Sequence, residues 1–162
     1  MAAGATYEPI ATQTLGSTAA TVTFSSIPGT YTDLVLITSN TSSAGLGGVY
    51  LDQINGDTGA NYSSTKIFGT GTVAGSDRNT SDTGVNIALT NSTQCNNIFH
   101  FLNYSNTTTF KTVLARGNSG GAGQTRASVA LFRSTAAITS FRLSGVTFDA
   151  GSTFTLYGIL KA

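Results

Sequence analysis

Charged side chains are scarce in this sequence, and so are cysteine, proline and tryptophan. Asp, Glu, Lys and Arg together make up 9% of the 162 residues, and the formal net charge is +1. Ordinary soluble domains carry about 25% charged residues. Because the few cations are spread along the chain, they form no basic footprint for nucleic acid. No apolar run approaches the roughly 20 residues of a membrane span. We therefore predict neither nucleic acid nor membrane as a partner.

The shortage of cysteine and histidine restricts the chemistry that the chain can perform. A single cysteine, Cys95, excludes a disulfide framework and a cysteine-type zinc site. A catalytic triad would have to use His100, the only histidine. We predict that His100 is a strand histidine that is either satisfied by hydrogen bonds or half-exposed. We also predict that Cys95 is not a nucleophile, because no base is placed beside it. The prediction is a protein without enzymatic activity, catalytic residues or cofactor.

One short segment carries oxygen donors close together. Asp52, Asn55 and Asp57 could each offer an oxygen to Ca²⁺. The segment lacks the downstream bidentate Glu of an EF-hand loop, and its Asn-Gly pair is typical of a tight hairpin turn. We interpret it as a hairpin without a metal site, and a bound cation is the alternative.

Hydroxyl side chains and glycine are abundant instead. The chain contains 28 Thr, 18 Ser and 19 Gly, which are poor residues for the interior of a helix. Hydrophobic residues still make up 40%, enough to form a core rather than a disordered chain. Short alternating segments are separated by turns rich in Gly, Asn and Ser. The pattern predicts an all-β fold, an antiparallel β-sandwich that is jelly-roll-like and has about ten strands.

The length fits one domain. We expect residues 1–15 to form an N-terminal arm or first strand, free to reach a neighbour, and residues 16–162 to form a single sandwich domain. Residues 33–38 are a continuous apolar run, which predicts a central strand buried on both faces.

Residues 69–84 are predicted to form a long polar loop. Loops of that length are uncommon in compact domains and are often functional. Asp77, Arg78 and Asp82 concentrate charge in this segment of a weakly charged chain. We therefore predict these three residues as contacts to a partner.

Tyrosines near turns provide a second set of candidate contacts. Tyr62 and Tyr104 are expected at strand ends, where an amphipathic ring could contact protein or sugar. The Ser- and Gly-rich loops at residues 40–48 and 117–123 are further candidates, because function is often carried by loops on a rigid scaffold.

Four segments, in order along almost the whole chain, resemble a recurring β-domain of virion proteins from tailed bacteriophages. They read FSSIPGTYTDLVL at residues 24–36, NGDTGANYS at 55–63, NYSNTTTFK at 103–111 and AGSTFTLYGI at 150–159. In that family such domains are free-standing or lie at the ends of tail and fibre proteins. The resemblance implies a virion structural protein, and it carries no catalytic residues over to this chain.

The short length of the chain restricts which type of virion protein it can be. A fibre needs a shaft and an attachment module, which do not fit in 162 residues. A small single-domain β-sandwich resembles capsid decoration or cement proteins, which bridge head subunits. We therefore expect binding to the phage major capsid protein, assembly as a trimer or dimer, and a place on the head surface. The alternative is a tail-fibre or tail-tip module that binds a host surface glycan or receptor.

The start of the chain bears on where the protein is made. Residues 1–15 contain no basic stretch followed by an apolar run, which is the pattern of a secretory signal. We expect synthesis in the host cytoplasm.

Overall fold

The structure, a computed structural model, describes residues 6–160. Within that range the chain forms twelve strands, and all neighbouring strands are antiparallel. They are β1 (Tyr7–Thr14), β2 (Val22–Phe24), β3 (Asp33–Asn40), β4 (Gly47–Asp52), β5 (Tyr62–Gly69), β6 (Ala74–Asp82), β7 (Gly84–Thr90), β8 (Cys95–Leu102), β9 (Lys111–Ser119), β10 (Gln124–Phe132), β11 (Phe141–Ser144) and β12 (Thr153–Ile159). No helix in this range is long and apolar enough to cross a membrane.

The strands form two sheets of unequal size. The large sheet has eight strands in the order β1-β12-β3-β8-β9-β10-β5-β6, and the small sheet has four in the order β2-β11-β4-β7. The predicted all-β antiparallel sandwich is confirmed, with twelve strands in residues 6–160 in place of about ten. The division into eight and four is less even than in the eight-stranded jelly roll.

One continuous core fills the space between the sheets. The alternation in β8 shows how the sequence builds it, because Phe99 and Phe101 point inward and are fully buried. Phe101 stacks on Phe141 of the small sheet with ring centroids 4.7 Å apart. Aromatic pairs of this kind add packing energy beyond the area that they bury. The core therefore holds the two sheets face to face.

Strand β3 lies inside the large sheet, between β12 and β8, as its apolar sequence predicts. Leu34 and Leu36 face the core and are fully buried. The predicted burial on both faces is wrong at Ile37, which is 42% exposed. Ile37 lies on the side of the large sheet turned away from the small sheet, and no further layer in residues 6–160 covers that side.

The predicted loop at residues 69–84 is a β-hairpin. Strand β5 ends at Gly69, the turn closes with Thr70 N–H donating to Val73 O at 2.9 Å, and β6 follows. The loop prediction is wrong because β6 is polar throughout, which is typical of an edge strand that pairs on one side only. Its backbone is paired with β5 although its side chains carry no strand signal.

The predicted hairpin at residues 52–57 is also wrong. Ile54–Gly56 form a 3₁₀ turn, after which the chain leaves the small sheet and enters the large one at β5. Asn55 adopts a positive φ of 54°, but its side chain holds a distant loop. Its Nδ2 donates to Ala137 O at 2.7 Å, and its Oδ1 accepts from Thr139 N–H at 2.8 Å. The Asn-Gly signal therefore marks a crossover between sheets.

The first segment of the chain is part of the sandwich. Strand β1 pairs with β12, and a bulge between Pro9 and Ala11 shifts its register. Residues 7–14 are thus held in their own sheet and are not free to reach a neighbour. Residues 1–5 of the predicted arm lie outside the described range.

Candidate functional site

The most distinctive surface is the outer face of the large sheet, which is the side turned away from the small sheet. Strand register aligns its side chains into rows that run from β12 to β6. The first row is Tyr157, Val35, His100, Leu114, Val129, Thr65 and Arg78. The second row is Thr155, Ile37, Ile98, Arg116, Ala127, Ile67 and Ser76.

The outer face exposes apolar side chains to an unusual extent. Ten large hydrophobic residues are exposed in the described range, and five of them lie on this face: Tyr7, Ile37, Ile67, Leu114 and Val129. They border a depression of about 530 Å³. Single exposed apolar residues are common, but a contiguous patch marks an interaction site. The arrangement can bind an apolar surface of another molecule.

A histidine and a carboxylate lie within this apolar surface. His100 Nε2 is 3.0 Å from Asp33 Oδ2, and the other oxygen of Asp33 accepts a hydrogen bond from Asn103 N–H at 2.6 Å. The imidazole is 34% exposed, so the prediction of a hydrogen-bonded or half-exposed strand histidine is confirmed. Asp33 holds the ring in place at the surface.

Two arginines add positive charge to the outer face. Arg116 lies in the second row between Ile98 and Ala127. Arg78 lies at the border that β6 forms. Neither belongs to any of the three ion pairs found within residues 6–160. Their guanidinium groups are available to a partner.

The predicted charged contacts do not form one cluster. Asp77 and Arg78 are neighbours in a strand, so their side chains point to opposite sides of the sheet. Asp77 pairs with Lys66 at 2.7 Å, and that hydrogen bond and charge hold the pKa of the Asp77 carboxyl below its ordinary value. Asp82 ends β6 and accepts from Thr83 N–H at 2.8 Å. Of the three, the register places Arg78 on the outer face.

The prediction that Tyr62 lies on a contact surface is wrong, because its side chain is fully buried. Its ring stacks on Phe132 with centroids 4.9 Å apart. Its hydroxyl accepts from Ile54 N–H at 3.0 Å and donates to Asp57 O at 3.1 Å. Burial raises the pKa of Tyr62 to about 12. The tyrosine therefore anchors the crossover between the sheets.

The prediction that Tyr104 lies on a contact surface is also wrong, because its side chain is fully buried. Its hydroxyl donates to Pro28 O and accepts from Tyr31 N–H. Burial raises the pKa of the Tyr104 phenol. Backbone partners inside the protein satisfy both hydroxyls, so the rings can lie in the core despite their position near turns in the sequence.

The oxygen donors of residues 52–57 are engaged in separate contacts. Asp52 forms a bidentate pair with Arg142, at 2.8 Å to Nε and 2.9 Å to Nη2. Asp57 accepts from Gly59 N–H and from Asn61 Nδ2. Within residues 6–160 there is no group of three or more His, Cys, Asp or Glu side chains that could hold a metal ion.

Cys95 and His100 lie on opposite faces of the large sheet. Cys95 begins β8 and points inward, where it is fully buried. Burial raises the pKa of its thiol. Because His100 is five residues away in a strand of period two, its imidazole points outward. The sheet separates the two groups, and they cannot form a thiol–imidazole pair.

Sequence reasoning missed the aliphatic residues of the outer face. A signal existed in strands with apolar residues on both alternations, for example Leu114 between Val113 and Ala115. Alternation assigns Val113 and Ala115 to the core, so Leu114 must face outward. The sequence does not reveal that such residues from distant strands align in the same row.

Comparison with known proteins yields little. No family model matches the chain, and no curated protein matches it. Among solved structures, exo-inulinase from Aspergillus awamori superposes with a TM-score of 0.49 and 14% identity. The superposition covers 94% of this chain and 29% of that protein, so the chain spans less than a third of its length. Similarity at this level says nothing about what this protein binds or catalyses.

Proposed function

We propose that this protein is a structural component of a tailed-bacteriophage virion, a decoration or cement protein that bridges major capsid protein subunits on the head surface. The resemblance of four sequence segments to phage virion β-domains motivates the proposal. The observation that carries it is the outer face of the large sheet, an exposed apolar surface spread over rigid strands. Such a surface suits permanent assembly with other protein subunits.

The side chains of the outer face favour a protein over a sugar as the molecule bound. The exposed side chains in the middle of the face are mainly aliphatic, with Ile37, Leu114 and Val129 around His100 and Arg116. Its aromatic rings, Tyr7 and Tyr157, lie at the β1–β12 border and pack edge to face with centroids 6.2 Å apart. Sugar rings are held by aromatic stacking and by dense hydrogen bonding, and the aliphatic side chains offer neither. The tail-tip alternative with a glycan ligand is therefore the weaker proposal.

Bridging requires area and repetition rather than reactive groups. A decoration protein contacts several capsid subunits at once, so individually weak contacts combine into tight binding. A two-sheet sandwich with a single core provides a rigid body on which such contacts keep their spacing. We propose on the same basis that the protein is not an enzyme. The separation of Cys95 from His100 by the sheet supports that part of the proposal.

Immunogold labelling of intact phage particles tests the proposed location. Antibody raised against this protein should label the heads densely, on the order of tens to hundreds of copies per particle, because multivalent bridging needs many copies. Particles from which the protein has been removed genetically are the control for antibody specificity. Label confined to the tail would overturn the head location in favour of host recognition. Absence of label from all particles would overturn a virion role altogether.

A further inference from the structure

We infer that the outer face of the large sheet is the interface of a two-fold symmetric homodimer, in which two copies of this chain pack outer face to outer face. The inference goes beyond the proposed function: the subunit that covers the outer face is a second copy of this chain, and the dimer contacts capsid subunits through its other surfaces. It does not depend on that function, because self-association can be measured on the purified protein alone.

The area of the outer face matches what a stable dimer needs. Eight strands give seven spacings of about 4.8 Å, and strands of about eight residues rise about 3.3 Å per residue. The face therefore measures roughly 34 Å by 26 Å, or about 900 Å². A standard interface buries about 800 Å² on each partner. The footprint of the face is therefore comparable to that of a standard interface.

The distribution of side chains matches a homodimer interface as well. Such interfaces have an apolar middle and a polar rim, and they are more apolar than transient ones. On the outer face, Leu114 and Val129 occupy the middle, while Thr155 and Ser76 end the second row at opposite borders. The face thus resembles one half of a sandwich core, and a second identical face would complete it.

The charges on the face are self-complementary. Asp33 lies two residues before Val35 on β3, and Arg116 lies two residues after Leu114 on β9, so the two residues are placed diagonally on either side of His100. A two-fold axis that lies in the plane of the face and passes between them brings Arg116 of each copy to Asp33 of the other. A partner carrying charge of one sign would satisfy one of these residues and repel the other.

Sedimentation equilibrium of the purified chain tests the inference. We expect a dimer with a dissociation constant in the micromolar range or tighter, and Val129→Glu should raise that constant at least about 100-fold, because each interface would bury two carboxylates in place of two apolar side chains. Leu46→Glu is the matched control, since Leu46 is 51% exposed, as Val129 is, but lies outside the face. Its dissociation constant should be unchanged. Circular dichroism confirms that both variants fold.

Chemical cross-linking provides an independent measurement. Cys95 is fully buried, so Leu114→Cys creates one accessible thiol per chain at the middle of the face. A short bis-maleimide should link two copies of this variant. It should not link Val73→Cys, whose thiol lies on the β5–β6 turn and is as exposed as the face residues.

Three results would contradict the inference. A wild-type chain that sediments as a monomer at about 100 µM would overturn the homodimer, and so would equal weakening by Val129→Glu and Leu46→Glu. A dimer that Val129→Glu leaves intact would overturn the assignment of the interface to this face. None of these results changes where antibody binds on a virion, so the inference and the proposed function can fail separately.

Discussion

Asn97 is one of the side chains that tie the two sheets together by hydrogen bonds; Arg126 of β10, which donates to Asn86 Oδ1 and Ala88 O of β7, is another. Asn97 lies on β8 in the large sheet, and its amide reaches the small sheet, where Oδ1 accepts from Leu89 N–H at 3.1 Å and Nδ2 donates to Leu89 O at 2.9 Å. Nδ2 also donates to Asn40 Oδ1 at 3.0 Å. Gly117, opposite Asn97 on β9, has to be glycine, because a Cβ there would lie 1.9 Å from Asn97 Oδ1. This buried network specifies how the sheets are aligned.

Replacing Asn97 by alanine should therefore destabilise the protein strongly. We expect Asn97→Ala to lower the free energy of unfolding by about 2–4 kcal/mol, because it leaves buried backbone groups of Leu89 without partners. Urea denaturation at neutral pH measures the change. Asn96→Ala is the control, since Asn96 is the exposed neighbour on the other face, and it should cost less than about 0.5 kcal/mol. Equal losses in the two variants would contradict the bridging role.

At the scale of elements, β6 is one of the two edge strands of the large sheet, and β1 is the other. Strand β6 pairs with β5 alone, and its side chains include no large apolar residue. Charges at Asp77 and Arg78 and a positive φ of 57° at Ser81 make this edge a poor template for pairing with another chain. The Lys66–Asp77 pair at 2.7 Å joins β6 to β5 through side chains. That pair should make the hairpin sensitive to acid.

The direction of the pH dependence follows from Asp77. Lys66 lowers the pKa of Asp77 in the folded chain, so the pair stabilises the fold above the unfolded pKa of about 3.9, and this contribution is lost as pH falls further. Asp77→Asn should lower the thermal midpoint at pH 7, and the difference from wild type should disappear in acid. Thermal melts between pH 7 and pH 2 measure it.

The control for the acid effect is Asp82→Asn on the same strand. Asp82 takes part in none of the ion pairs within residues 6–160. Its substitution should shift the midpoint little, without the dependence on pH that Asp77→Asn shows. A midpoint difference for Asp77→Asn that is the same at all pH values would show that Lys66 does not stabilise the hairpin through charge.

At the scale of the whole molecule, one core without a disulfide determines how the protein unfolds. Buried side chains of both sheets belong to a single cluster, and the one cysteine is free. Neither sheet can keep its apolar face covered once the other is lost. The sandwich should therefore unfold as one cooperative unit.

Coincident transitions would demonstrate that cooperativity. Far-ultraviolet circular dichroism reports strand content, and near-ultraviolet dichroism reports the packing of the buried rings of Tyr62 and Tyr104. We expect the two signals to change with the same midpoint in urea. An earlier loss of the tyrosine signal, or two separated steps, would show that part of the sandwich opens on its own. The comparison should be made at one protein concentration, because dimerisation shifts the midpoint.

Local patterns in the sequence were sufficient for the fold class. Alternation with period two puts Phe99 and Phe101 on one face and His100 on the other, since adjacent strand residues point to opposite sides. Abundant Thr, Ser and Gly excluded a helical fold. These properties depend on residues a few positions apart, so they can be read without knowing which strands pair.

Tertiary structure decided what distant residues do together. Tyr62 and Tyr104 lie near turns in the sequence, where exposed residues are expected. Both rings are buried because their hydroxyls donate hydrogen bonds to backbone carbonyl groups inside the protein. Strand β6 forms because its backbone pairs with that of β5, although its polar side chains do not predict a strand. The outer face exists only because register aligns Leu114 and Val129 from separate strands. The sequence determined the strands whose apolar and polar residues alternate, such as β8, and which way each of their residues points. Pairing between remote strands decided the surface that results, because the contacts that set register join residues far apart in the chain.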